Sequence, residues 1–225
     1  MPKKKEKQTY LTLVETHIVK KGHPFYDWAM GECLLSRNLY NRVLFIYRQA
    51  FTGHHENIEE YRDLIKNERF VKKFDVVKRM GKLKEPDREA MMKTHSANKV
   101  VEQVDTIWNS WFKAFKDYKK NPSKYTGRPK IPGYKKGDGV TNILVYDKSD
   151  ARIQKDGTIN ISKKIKLPLK TEIKDLQEVR IIPRIGHIKI EIVYRKEIDD
   201  LGLNKDNAIG IDIGLNNLAA ITSND

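Results

Sequence analysis

AIGIDIGLNNLAAIT, residues 208–222, sets one carboxylate, Asp212, among isoleucines. Ile209, Ile211 and Ile213 recur with the period of two that marks a β-strand. Gly214 and Asn216-Asn217 are turn residues, and Leu218-Ala219-Ala220-Ile221 reads as a returning strand. The pattern is strand, tight turn, strand, with one acid in the first strand. A carboxylate buried in such an apolar run is costly unless paired, and a divalent cation is the usual partner.

Upstream, EIDDLGLNKDN at 197–207 is a polar linker. Before it the pattern is again β. Val140–Tyr146 is one expected strand. Ala151–Gln154 and Thr158–Ser162 form a hairpin around Asp156-Gly157, a strong turn signal. Ile165–Leu169 is short, and Pro168 marks it as an edge. Glu178–Pro183 and His187–Lys196 form a second hairpin across Arg184-Ile185-Gly186.

Residues 25–120 read as helical. From Phe25 to Phe51, Trp28, Leu35, Leu39, Val43 and Ile46 fall on one stripe, and Gly53 closes the helix. Two short helices follow over 56–80, ended by Gly81. Pro86-Asp87 opens the longest expected helix, running to Lys120, with Val100, Val104, Trp108, Trp111 and Phe115 along one stripe. At that spacing the aromatics favour core over base stacking. His54-His55 favours a loop over a metal pair, because adjacent residues do not share a helix face. Thr9–Lys20 alternates as a strand. A lone first strand needs partners, so it is expected to pair with 140–196 in one β-barrel, with the helices inserted.

The chain has 225 residues, enough for one or two domains with a core. No apolar stretch approaches the roughly 20 residues of a membrane helix, and MPKKKEKQ lacks the apolar core of a signal peptide. The single cysteine, Cys33, excludes an intramolecular disulfide and a cysteine-rich zinc site within these residues, and an intracellular, reducing location is expected. Net charge is +14 and the pI about 9.6. Nucleic acid is therefore the first partner to consider. NPSKYTGRPKIPGYKK, residues 121–136, holds five basic residues and no acid, and 121–170 carries +8 of the +14. Such concentration is an electrostatic footprint. Lys3, Lys4 and Lys5 are expected to form a disordered arm.

Three features resemble one family. Ala97–Tyr118 followed by GRPKIPGYKK at 127–136 is similar to the long helix and G-x-P-x-x-P-x-x-K-K signature of the TnpB (OrfB) proteins of bacterial and archaeal insertion sequences. RNLYNRVL at 37–44 resembles that family's early helix. GIDIGLNNLAA at 210–220 resembles the first RuvC (ribonuclease-H-like) motif of the family and of compact type V CRISPR nucleases.

The resemblance implies an α+β protein, with a wedge-type β-barrel over 1–24 and 121–198. A helical recognition domain over 25–120 interrupts it, and the first strands of a RuvC domain follow at 206–225. It further implies the nucleic-acid-binding half of an RNA-guided DNA endonuclease. Guide RNA and target double-stranded DNA would be the partners. The location would be the cytoplasm, at the nucleoid, of a prokaryote or its mobile element. Asp212 would be a catalytic acid and Mg²⁺ ligand. Lys124, Arg128, Lys130, Lys135 and Lys136 would contact phosphates, and Arg37, Asn38 and Arg42 would face DNA. The family's other two acids would fall after residue 225, so the chain is expected to be an N-terminal half that does not cut alone. Asp199 and Asp200 have no marks of substitutes. The rival reading is a non-catalytic DNA- or RNA-binding protein, or a repressor derived from such a nuclease. An actin-type ATPase also carries a G-I-D-x-G loop, but there the loop opens the domain.

Overall fold

Pro24 lacks a backbone N–H, and it sits in the first turn of a helix, where no carbonyl would receive one. That helix is α1, Pro24–Thr52, with His23 accepting the Phe25 N–H at its start and Gly53 (φ 86°) closing it in the left-handed region. The computed structural model describes residues 10–137, 141–198, 204, 206–214 and 218–224. The expectations for Lys3–Lys5, Val140, Asp199-Asp200 and Asn216-Asn217 lie outside them.

A 3₁₀ segment, His55–Leu64, follows α1, then α2 (Lys73–Lys82), α3 (Pro86–Ala90) and α4 (Thr94–Lys120). The single helix expected from Pro86 to Lys120 is thus two. Met91 takes an extended backbone (ψ 139°) with its side chain buried. Met92 N–H, released from helical bonding, donates to the Glu32 carboxylate of α1 at 3.1 Å. Gly81, expected to end the preceding helix, lies one residue inside α2.

The strands are β1 (Tyr10–Lys20), β2 (Leu144–Asp147), β3 (Arg152–Ile153), β4 (Thr158–Asn160), β5 (Lys166–Lys170), β6 (Asp175–Arg184) and β7 (His187–Glu197). One antiparallel sheet runs β1-β7-β6-β2 and a second β3-β4-β5. The first strand therefore does join the strands that follow the helices. The expected closed barrel does not form among the described residues: β1 and β2 end the larger sheet, and β3 and β5 end the smaller. The chain leaves β2 in a tight turn, with Asp150 and Ala151 N–H both donating to the Asp147 carbonyl, and enters strands of two and three residues. Pro168 lies in β5, an edge as expected.

Leu144, Tyr146, Val179, Ile181, Ile188, Ile190 and Ile192 are buried in the larger sheet, and α1 and α4 pack against it. Just before β2, buried Asn142 donates to Ser36 Oγ and to Gln103 Oε1, both at 2.9 Å, joining the sheet to both long helices. Phe51, Trp108, Trp111 and Phe112 form an aromatic core cluster, so the helix stripe is core as expected. The helices, the smaller sheet and all of the larger sheet but the outer ends of β1 and β7 belong to one compact unit, Thr12–Arg195. The other unit contains an antiparallel hairpin, β8 (Ile209–Asp212) with β9 (Ala220–Ser223). Asn224 ties its base: its side chain accepts the Ala208 N–H and donates to the Asp206 carbonyl.

Two substitutions test these local arguments. Gly157 has φ 81° in the β3–β4 turn, and an added Cβ would sit 2.7 Å from the Thr171 carbonyl oxygen. Gly157→Ala should cost about 1–3 kcal/mol in denaturant unfolding. At Glu32, burial raises the carboxyl pKa above its ordinary 4.5, so the folded state favours the protonated form. Glu32→Gln keeps an acceptor without the charge, and its stability should equal the wild type below pH 4.5 and exceed it as the pH rises through the raised pKa. Glu32→Ala should lose about 1–3 kcal/mol by orphaning the Met92 N–H.

Candidate nucleic-acid interface

Segment 125–136 bends at 125–127 and pairs with no strand, so its backbone polar groups need other partners. Pro129 and Pro132 have no N–H to satisfy. The carbonyls are held from the helices: Trp111 Nε1 donates to Pro129 O at 3.2 Å, and Arg48 to Pro132 O at 2.6 Å. Asn41 grips Lys135 reciprocally, its amide donating to Lys135 O and its oxygen accepting from Lys135 N–H, both at 2.9 Å. At the start of the segment, the Asp117 carboxylate accepts from Asn121 Nδ2 and the Tyr125 hydroxyl, and these bonds lower its pKa.

The basic side chains stand on this fixed backbone. Lys124, Arg128, Lys130 and Lys136 are exposed. Lys135 is half-buried over the Tyr40 ring, its ammonium 4.9 Å from the centroid, and desolvation lowers its pKa. Phe115 carries Arg128 and Lys119 near its ring at 5.1 and 4.9 Å and stacks on Trp111 at 5.3 Å. Arg48, whose guanidinium lies 5.2 Å from the Tyr134 centroid, joins Trp111, Arg128, Pro129, Lys130 and Ile131 around an open groove of about 580 Å³. None of Lys124, which just precedes the segment, Arg128, Lys130, Lys135 and Lys136 forms an ion pair among the described residues.

Arg42 is placed differently from the expectation. It pairs with Glu60 at 2.6 Å and Glu85 at 3.5 Å, near the rings of Phe45 and Tyr61. Its charge is spent joining α1 to the segments after it. Arg37 donates to Asn38 Oδ1 at 3.3 Å, and both are half-buried on α1, forming no ion pair among the described residues. Asn41 and Arg48, which position the segment, carry no sequence signal of that role beyond being polar positions on a helix facing a proline-rich stretch.

Asp212 ends β8 opposite Ala220. Asp212 is exposed, as are Ile209, Ile211 and Ile221. Alternation puts those isoleucines on one face, and Asp212 with Gly210, Ala220 and Thr222 on the other. Among the described residues no group of three or more metal-binding side chains includes Asp212; the one such group is His95, Asp147 and Asp150. A two-metal hydrolytic site needs several carboxylates, so the described donor set does not fit one.

No family model matches the chain, and no curated protein matches it.

If the Asn41 pair fixes the segment, Asn41→Ala should lower stability by about 1–3 kcal/mol, the worth of two hydrogen bonds. Limited proteolysis should then cut next to Tyr134 or Lys135 faster than in the wild type.

Proposed function

We propose that the chain is the nucleic-acid-binding part of a TnpB-like RNA-guided DNA endonuclease, gripping guide RNA and target double-stranded DNA through phosphate. The observation that carries this reading is the segment 124–136. It presents five cations without ion-pair partners among the described residues, on a backbone held by Asn41, Arg48 and Trp111. Solvated surface cations need no such fixed backbone. A row of pre-positioned cations suits a phosphate chain, because little conformational freedom is lost on binding. Guide pairing reads sequence in such a system, so the protein supplies mainly backbone contacts. The groove between Arg48, Trp111, Arg128 and Lys130 adds an apolar wall beside three cations, which suits a sugar or base edge next to phosphate.

Asp212 is the candidate Mg²⁺ ligand of the parent nuclease. Its place on the small-residue face of β8–β9 leaves the carboxylate accessible. We derive no hydrolytic step from it. The basic segment serves equally a second reading, a protein that binds nucleic acid or represses without cutting.

Replacing Lys124, Arg128, Lys130, Lys135 and Lys136 with Gln should weaken binding to a structured RNA. It should also flatten the slope of log K against log salt by up to about 4, since each phosphate contact contributes about 0.7–0.9. Equal affinity and equal slope between 50 and 200 mM salt, the range over which such contacts act strongly, would refute the proposal.

A further inference from the structure

We infer that His95, Asp147 and Asp150 form a binding site for a zinc-class divalent cation, which clips the first turn of α4 to the turn after β2. His95 comes from α4, and Asp147 and Asp150 from one turn far along the chain; one ligand atom from each lies within 4.8 Å of the others. The Asp150 side chain is only 7% exposed, and its Oδ2 has no hydrogen-bond partner. Its Oδ1 lies 3.5 Å from His95 Nδ1. A buried carboxylate oxygen left without a donor is costly, and a cation is the partner that would satisfy it.

The turn itself orients the other donor. Ser149 N–H donates to Asp147 Oδ1 at 2.8 Å, as does the Ser149 hydroxyl, and these bonds fix the carboxylate. The Ser149 hydroxyl proton points at Asp147, so its oxygen accepts from His95 Nδ1 at 2.9 Å. Binding a cation at Nδ1 would break that contact and move the ring proton to Nε2. Ligand oxygens held by hydrogen bonds are typical of metal sites.

One imidazole nitrogen and two carboxylate oxygens suit Zn²⁺ or Co²⁺ better than Mg²⁺ or Ca²⁺, which prefer all-oxygen sets. Two carboxylates with neutral imidazole also balance a dication. Three protein ligands leave a fourth position. His95 and Asp147 line a groove of about 320 Å³ with Lys73, Phe74 and Glu102, so that position is open to water or a small anion. The site is independent of Asp212 and of the basic segment, and it does not rest on nucleic-acid binding.

The test uses the whole chain, stripped with EDTA. Zn²⁺ should bind at one equivalent by calorimetry and raise Tm, and Co²⁺ should give visible d–d absorption of low-symmetry coordination. His95→Ala, at an exposed side chain, and Asp150→Asn should each weaken Zn²⁺ binding by at least about tenfold and abolish the Co²⁺ bands. His54→Ala, far along the chain on an exposed loop, should change neither. Circular dichroism in EDTA checks that each variant folds, and should Asp150→Asn not fold, His95→Ala decides alone. No zinc-dependent rise in Tm, or equal Zn²⁺ affinity in wild type and His95→Ala, would overturn the site.

Discussion

A chain outside any sheet must find other partners for its backbone polar groups, and segment 125–136 finds some of them in side chains of α1 and α4. Trp111, Arg48 and Asn41 take its carbonyls and one N–H in turn. The prolines at 129 and 132 remove two donors that would otherwise need partners. Asn142, two residues before β2, completes the tie through Ser36 and Gln103.

The same constraint explains the charge arrangement. Cations needed to join elements are consumed: Arg42 by Glu60 and Glu85, Arg79 by Asp63, Arg180 by Glu178 and Glu191. Those of the segment meet no carboxylate among the described residues; Arg128 and Lys135 lie instead against the rings of Phe115 and Tyr40. Arg48 is the one arginine that does both, donating to Pro132 O while facing the groove.

Local chemistry was legible where it was self-contained. Asp156-Gly157 makes its turn because φ 81° suits glycine and Asp156 accepts the Thr158 N–H. Pro168 takes an edge because it cannot donate to a neighbour on both sides. Pro24 and Gly53 bound α1 for reasons within one turn of each. The break at Met91-Met92 was illegible: Pro86 signals a start, the apolar period runs on through it, and the residue that stabilises the break, Glu32, lies 60 positions away. Arg42 and Arg128 look equally available in sequence; which one meets carboxylates depends on how distant segments pack.

The sequence by itself determined the order of strand, helices, strands and final hairpin, the turns, the aromatic core stripe and the concentration of positive charge. These follow from residue periodicity and backbone preferences that act over a few positions. Only the tertiary structure decided that the sheets stay open, that α4 is severed from α3, that Asp212 lies exposed on the small-residue face of its hairpin, and that His95 meets Asp147 and Asp150. Each of those outcomes depends on satisfying polar groups and burying surface between residues far apart in the chain, a requirement no local pattern encodes.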